Sequence, residues 1–339
     1  MQVHTVHYVS SDASVTPPLV QTAPGGDQVF DSRVVTGDAL KVLANLPANC
    51  IQAVVTSPPY WSLRDYAIDG QIGLEPNVDD YIMALVTVFE QVRRVLRPDG
   101  SMWLNIGDSY TSGGRTWRAP DKKNRARAMS TRPPTPNGLK SKELTGIPWR
   151  LAFALQQAGW YLRSDVIWRK PNAQPESVKD RPTRSHEYLF FLTKSENYYY
   201  DNQAVREVNN RNVRSVWDIN TYPLMDVHFA TFPPKLVEPC VKLSTRPGDV
   251  VLDPFLGSGT VAVVAVELGR PFLGIEINPE YSAIARHRIR QLARLDRPIY
   301  EVEVVEEAQV VSAAEIIQPL IEHQQVNRQA GDEPLIAIS

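Results

Sequence analysis

The chain has little of several residue types, and each scarcity excludes a class of protein. Its two cysteines, Cys50 and Cys240, are too few for a disulfide scaffold or for a zinc site built on four cysteines. Its six histidines lack the spacing of metal ligands, so we expect no metal. No apolar run approaches the roughly 20 residues that span a membrane, and the N-terminal segment lacks the basic-then-apolar pattern of a secretion signal. We therefore expect a cytoplasmic protein that acts at no membrane.

The composition that remains is that of an ordinary globular protein, with 43% hydrophobic and 22% charged residues in 339. The formal net charge of -2 conceals a strong segregation of charge along the chain. Residues 111–185 contain 16 Lys and Arg against five acids, whereas residues 301–339 contain eight acids and one base. A local basic excess indicates a surface that binds a polyanion, and an acidic end is typical of a solvated tail.

The hydrophobic periodicity predicts one large α/β domain between a leader and a tail. Residues 1–29 mix Ser, Thr, Pro and Gly without periodicity, which predicts a flexible leader. Residues 30–298 alternate apolar strands with amphipathic helices and form the predicted domain, and residues 299–339 form the acidic C-terminal tail. Two segments of the domain, at about 109–145 and 171–185, are basic and rich in turn-forming residues, which predicts loops.

A glycine-rich turn after an apolar strand gives the sharpest pattern in the sequence. Residues 250–253 form the predicted strand, and the turn 257–260 opens a helix, so that backbone amides can approach a nucleotide-like ligand. Glu276 ends the next predicted strand, where a carboxylate binds ribose hydroxyls. The turn also satisfies the dinucleotide pattern G-x-G-x-x-A, so an NAD-dependent oxidoreductase is one interpretation. No lysine follows the glycines, which excludes a phosphate-binding P-loop.

Asp253 at the strand end favours a different ligand from a dinucleotide. Its carboxylate would repel a pyrophosphate but would attract a cationic amino group, such as that in the methionine part of S-adenosylmethionine. A dinucleotide domain also needs a second mononucleotide half, and the α/β pattern ends near Pro298. Charge and length together favour the sulfonium cofactor.

A second motif, Thr56-Ser57-Pro58-Pro59-Tyr60-Trp61, follows the apolar strand at 51–56. The exocyclic amine of a nucleobase is a poor nucleophile because its lone pair is delocalised into the ring. Two acceptors that hold the amine protons favour a tetrahedral nitrogen in the transition state, and the Ser57 hydroxyl and the Pro58 carbonyl can supply them. The prolines fix φ and remove competing N–H donors, and Tyr60 can stack on a base extruded from a duplex.

Together the two motifs resemble those of the DNA amino-methyltransferases, which transfer a methyl group from S-adenosylmethionine to N4 of cytosine or N6 of adenine. The resemblance runs from about Arg33 to Leu295 and includes the segments 168–172, 185–188 and 274–278. It implies the class I methyltransferase fold, an α/β structure with a mostly parallel seven-stranded sheet and helices on both faces. The catalytic motif precedes the cofactor loop, which is the permuted order of that family.

The resemblance also implies a target base. Ser before Pro-Pro-Tyr is the form usual in the N4-cytosine enzymes, so Ser57 predicts transfer to N4 of cytosine in a specific DNA sequence. N6-adenine transfer is the alternative, because the same site geometry serves either amine. A DNA-binding module that retains the fold without activity is a third interpretation.

Individual residues take their expected roles from the same resemblance. The implied catalytic residues are Ser57, Pro58, Pro59 and Tyr60. Glu276 is expected on the ribose hydroxyls and Asp38 near the adenine. The full set of implied cofactor contacts is Asp38, Thr231, Asp253, Phe255, Gly257, Ser258, Gly259, Thr260 and Glu276. Phe232-Pro233 stands where the family has Lys-Pro, so no lysine contact to the cofactor carboxylate is expected.

The implied partner is double-stranded DNA. Basic residues of the two loops would release counterions from the phosphates, and the candidate contacts are Arg115, Arg118, Arg125, Arg127, Lys170 and Arg181. The resemblance also implies a cognate restriction endonuclease as a second partner. It implies that the protein is a monomer or homodimer and that it is encoded by a bacterium, an archaeon or a phage. We interpret the pair His186-Glu187 as structural and Cys240 as a core residue.

Overall fold

A computed structural model describes residues 31–66, 68–111, 135–136, 138–207, 210–221, 232–293 and 301–306. Its helices and strands alternate along most of the chain. In order they are β1 (Asp31–Thr36), α1 (Ala39–Ala44), β2 (Ile51–Thr56), α2 (Val78–Val95), β3 (Leu96–Ile106), α3 (Ile147–Gln157), β4 (Tyr161–Arg169), β5 (His186–Thr193), β6 (Arg206–Glu207), β7 (Arg211–Asn212), β8 (Val216–Asp218), α4 (Pro234–Ser244), β9 (Val251–Asp253), α5 (Thr260–Glu267), β10 (Phe272–Glu276), α6 (Pro279–Ala293) and β11 (Glu301–Glu306).

One sheet organises the described part of the chain, with strand order β11-β1-β10-β9-β2-β3-β5-β4-β8. All its strand pairs are parallel except the two that β5 makes with β3 and β4, which are antiparallel. The predicted α/β fold with a mostly parallel sheet is therefore confirmed. β6 and β7 form a separate two-stranded sheet.

In the described residues the sheet has nine strands, whereas the family resemblance implied seven. The two additional strands, β8 and β11, lie at opposite edges. β8 is only three residues long, which is too short for its periodicity to be recognised. β11 lies within the segment 299–339 that was assigned to the acidic tail, and its sequence EVEVVE alternates as a strand does. The many glutamates of this segment concealed the alternation, and the sheet extends beyond residue 298.

Helices cover both faces of the sheet. Successive residues of a strand point to opposite faces, so Val54 of β2 joins one apolar cluster and Val55 joins the other. The first cluster includes buried residues of α1, α2 and α3, and the second includes those of α4, α5 and α6. In the described residues no helix combines the length and the apolarity that a membrane crossing requires.

The sheet topology collects polar side chains at the edge that is formed by the carboxyl ends of the parallel strands. The carboxyl ends of the parallel strands β1, β10, β9, β2 and β3 meet there, because parallel neighbours end on the same side. The amino-terminal end of β5 reaches the same edge, because Tyr188 pairs with Ile106 at the end of β3. Pro58 and Pro59 end β2, since proline removes the N–H donor that a central strand needs.

Candidate active site

A buried carboxylate, that of Asp253, lies where β9 ends. Its Oδ1 accepts hydrogen bonds from Thr56 Oγ1 at 2.7 Å and from the Phe255 amide at 3.1 Å. Burial raises the pKa of Asp253 to about 7. No cationic side chain among the described residues forms an ion pair with it. A desolvated carboxylate without a counter-charge favours a cationic ligand, so the residues fit a cofactor that carries an amino group.

Glu276 connects the glycine-rich turn to the end of the neighbouring strand β10. Its Oε2 accepts from the Gly257 amide at 2.7 Å, and its Oε1 accepts from the Asn278 amide at 2.9 Å. The backbone carbonyl of Glu276 accepts from the Gly37 amide at 2.9 Å, which brings the end of β1 alongside. Asp38 follows directly and caps α1 by accepting from the Lys41 amide at 2.9 Å. Asp38, Glu276 and Asp253 thus lie along consecutive strand ends.

The hydroxyls of Ser258 and Thr260, which the sequence assigned to the cofactor, are buried against α6. Arg288 Nη1 donates to Ser258 O at 2.6 Å, to Ser258 Oγ at 3.0 Å and to Thr260 Oγ1 at 3.3 Å. Burial lowers the pKa of Arg288. Sequence patterns do not identify this arginine, because nothing in its helical position distinguishes it from a surface residue. Arg288 therefore holds the turn 257–260 in shape from the side of α6.

Position 259 requires glycine because of its backbone conformation and because of its close neighbours. Replacing Gly259 is therefore expected to destabilise the protein. Its φ is +83°, and a Cβ at this position would lie 2.8 Å from the Ala285 Cβ on α6. We expect Gly259→Ala to lower the free energy of unfolding by about 2–4 kcal/mol, since strain and overpacking add. Gly138→Ala is the control, because Gly138 has a φ of +81° but no atom of the described residues lies within 4 Å of the position that a Cβ would take. Urea denaturation of both variants measures the difference, and equal losses would contradict the close approach of α6.

The motif 57–60 leaves β2 directly beside this turn. The hydrogen bond from Thr56 to Asp253 joins the two motifs, which lie 197 residues apart in the chain. The Tyr81 hydroxyl on α2 donates to the Pro59 carbonyl at 2.8 Å and holds the proline pair. Asn105 Nδ2, at the end of β3, lies 3.4 Å from Ser57 Oγ and 3.1 Å from the Tyr60 hydroxyl. The structure therefore brings the two predicted motifs together at one sheet edge.

Glu187 completes this cluster, although the sequence pattern favours a structural interpretation of the pair His186-Glu187. The Tyr60 hydroxyl donates to its Oε2 at 2.7 Å, and Asn105 Nδ2 donates to the same oxygen at 3.0 Å. Lys170 Nζ binds the other carboxylate oxygen, Oε1. Burial alone would raise the pKa of Glu187, but Lys170 and the two hydrogen bonds outweigh it and lower the pKa. The only sequence evidence for this residue was its place in the segment 185–188 that resembles the family.

Lys170 lies in a different environment from the one predicted. The sequence assigned it to the DNA-contacting surface, whereas its ammonium is largely buried between Glu187 and the Trp168 ring, whose centroid lies 4.2 Å away. Arg181, the other described DNA candidate, stacks on the Tyr110 ring at 3.7 Å and pairs with Glu176 at 2.6 Å. The remaining candidates and one predicted cofactor contact lie outside the described residues: Arg115, Arg118, Arg125, Arg127 and Thr231.

The second basic segment, 171–185, packs against the described part of the first basic segment, 109–145. Lys142 pairs with Asp180 at 2.8 Å, and Arg184 lies 3.8 Å from the buried Asp108. Asp108 in turn accepts from the amides of Gly146 and Ile147 at the start of α3. Part of the positive charge of the two segments is therefore neutralised within the protein. Cys240 is fully buried on α4, as the sequence predicted.

Comparisons with known proteins agree with this geometry. A model of the N6/N4 DNA methylase family matches residues 51–287. The chain is 62% identical over 258 residues to the Type II methyltransferase M.Cfr9I of Citrobacter freundii, which covers 75% of this chain and 86% of that protein. The structure of TTHA0409 from Thermus thermophilus, described as a putative DNA modification methylase complexed with S-adenosyl-L-methionine, matches with a TM-score of 0.57 and 26% identity over 81% of this chain and 99% of that one. The structure described as PvuII DNA methyltransferase (cytosine-N4-specific) shares the fold with a TM-score of 0.59 and 22% identity, over 87% of this chain and 94% of that one.

Proposed function

The chain belongs to the N6/N4 DNA methylase family and is an S-adenosylmethionine-dependent DNA amino-methyltransferase, and from this premise we propose that its target is N4 of cytosine. The observation that carries the proposal is the serine at position 57, in the motif Ser57-Pro58-Pro59-Tyr60. Family membership also excludes the NAD-dependent interpretation of the glycine-rich turn, and we propose that this turn binds S-adenosylmethionine.

The cofactor-binding role of the turn is supported by its charges. We propose that Asp253 faces the cationic amino group of the methionine part, because this carboxylate is buried without a counter-ion among the described residues. Glu276 is held by two backbone amides and retains lone pairs for the ribose hydroxyls, and Asp38 lies at the adenine end. Phe255, Gly257 and the neighbouring turn residues line the remainder. When bound, the cofactor supplies an electrophilic methyl group on its sulfonium.

The chain's own contribution to the chemistry is to receive and orient the amine. We propose that Ser57 Oγ and the Pro58 carbonyl accept the two protons of the exocyclic amine, so that its lone pair is directed away from the ring. Tyr60 offers an aromatic face to a base flipped out of the duplex. Water exclusion follows from the burial of this edge, where Pro58 is buried and Tyr60 half-buried.

The DNA itself is proposed to lie against the basic segments. Arg115, Arg118, Arg125 and Arg127 belong to the stretch with the greatest positive charge and are proposed to contact phosphates. We further propose that a cognate restriction endonuclease is a partner. We propose that the protein is a monomer or homodimer and that it acts in the cytoplasm of a bacterium, an archaeon or a phage-infected cell.

Identification of the product nucleoside tests the target base. The protein is incubated with tritiated S-adenosylmethionine and mixed-sequence unmethylated DNA, and the nucleosides of the digest are identified by mass spectrometry. We expect N4-methylcytosine. N6-methyladenine would overturn the base assignment and keep the site, and tight cofactor binding without any methylated nucleoside would favour the non-catalytic module.

A further inference from the structure

A buried ion pair lies directly behind the catalytic motif, and stability does not explain it. Glu187 and Lys170 expose only 17% and 18% of their side chains. Buried ion pairs are seldom more stabilising than apolar residues of the same volume, because both charges lose their hydration. Asn105 adds a further cost, since its Oδ1 is buried and has no hydrogen-bond partner in the described structure. A costly polar cluster beside reacting groups suggests a functional role.

The two carboxylate oxygens of Glu187 bind different partners. Lys170 binds Oε1, and the Tyr60 hydroxyl and Asn105 Nδ2 both donate to Oε2. The same Asn105 amide group lies 3.4 Å from Ser57 Oγ. One glutamate therefore connects the aromatic residue and the hydroxyl of the catalytic motif, although these follow β2 and Glu187 belongs to β5.

The packing around Tyr60 leaves its ring little freedom. A Cβ on Gly107, just after β3, would lie 2.8 Å from Tyr60 Cε2 and 3.4 Å from Glu187 Cδ. The ring edge thus rests against the backbone at one end while its hydroxyl is bound at the other. Such a ring is held in one plane before any base arrives.

We propose that Glu187 is a positioning residue for the target base, which holds the Tyr60 ring and, through Asn105, the Ser57 hydroxyl in the orientation that receives the flipped amine. Lys170 determines which oxygen Glu187 presents to Tyr60 and Asn105, so it is the partner of this residue and not a DNA contact. The inference rests on the proposed function of the Ser57–Tyr60 motif.

The hydrogen-bond polarity of the cluster gives a sharp test. In Glu187→Gln the amide oxygen faces the Lys170 ammonium, so the amide NH2 faces Tyr60 and Asn105. The Asn105 amide then loses its carboxylate acceptor. The Tyr60 hydroxyl must change from donor to acceptor towards residue 187, so the motif loses its alignment. In the double variant Glu187→Gln with Lys170→Met, the amide can rotate and present its oxygen to Tyr60 and Asn105 again.

The measurement is single-turnover methyl transfer on unmethylated DNA that the unaltered protein methylates, together with the Kd for S-adenosylmethionine. We expect Glu187→Gln to reduce the transfer rate by about 10²-fold, the size of a misalignment of about 1 Å, with the cofactor Kd within about twofold. The double variant should recover at least about tenfold of that loss. Glu238→Gln is the matched control, because Glu238 pairs with Lys242 at 2.6 Å on α4, away from the site, and should leave the rate unchanged.

Three outcomes overturn the inference. These are an unchanged rate in Glu187→Gln, a rate loss that follows weaker cofactor binding or a smaller folded fraction by circular dichroism, and a double variant no faster than the single one. Absence of methyl transfer by the unaltered protein contradicts the proposed function instead, so the two failures are distinguishable.

Discussion

Ser57→Ala is expected to reduce methyl transfer by about 10²–10³-fold while S-adenosylmethionine binds as before, the loss typical of removing one group that stabilises a transition state. The alanine removes one of the two acceptors proposed for the amine protons and leaves the backbone carbonyl of Pro58. The Ser57 hydroxyl contacts Asn105 at 3.4 Å and also interacts with the Tyr60 hydroxyl, which keeps its hydrogen bonds to Glu187 and Asn105, so removal of the serine hydroxyl should change the fold little. The neighbouring hydrogen bond between Thr56 and Asp253 remains intact.

Variants of Tyr60 separate the contribution of its aromatic face from that of its hydrogen bond to Glu187. Tyr60→Phe keeps the aromatic face and loses the hydrogen bond to Glu187, whereas Tyr60→Ala loses both and should be the more severe change. Ser195→Ala is the control, because the Ser195 hydroxyl donates to the backbone carbonyls of Pro98 and Asn197, away from the motif. Rates are measured with tritiated cofactor, and Kd values by calorimetry. Full turnover in Ser57→Ala and Tyr60→Ala would show that chemistry occurs elsewhere.

The parts of the site that follow parallel strands could be predicted from the sequence. Asp253 and Glu276 each end an apolar strand, and the motif 57–60 follows a third, so one rule about parallel strand ends places all three together. The geometry adds what the rule could not give, namely the Thr56–Asp253 bond and the two amides on Glu276.

Glu187 could not be predicted in this way because it lies at the beginning of a strand. β5 runs antiparallel to β3, which carries its amino-terminal end to the same edge of the sheet, and local periodicity contains no information about strand direction. The burial of Lys170 could not be predicted for a related reason. In a basic segment one lysine resembles another, and only the tertiary structure shows which ammonium is buried against a carboxylate.

Asp253→Asn is expected to stabilise the cofactor-free protein and to weaken cofactor binding. The pKa of Asp253 is about 7 in the folded protein, against an ordinary value of 3.8. Between these values the folded state keeps a proton that the unfolded state releases, so the carboxylate lowers stability progressively as pH rises from about 4 to 7. A difference of about three pKa units corresponds to about 4 kcal/mol at pH 8, which is an upper limit for the gain in the asparagine variant. Thermal unfolding across pH 4–8 measures this, and the variant should lose the part of the pH dependence that Asp253 contributes, whereas the buried Asp108, Asp249 and Glu276 keep theirs.

Cofactor binding should respond in the opposite direction. A cationic amino group stabilises the ionised carboxylate, so affinity for S-adenosylmethionine should fall by up to about tenfold for each pH unit below 7, as the Asp253 carboxyl must first lose its proton. Asp253→Asn should bind weakly and without this slope. Asp249→Asn is the matched control before β9, since Asp249 is also buried but has Arg97 3.7 Å away as a counter-charge. Calorimetric titrations that gave Asp253→Asn and the unaltered protein the same affinity at pH 5.5 and 7.5 would exclude this carboxylate as the partner of the cationic group.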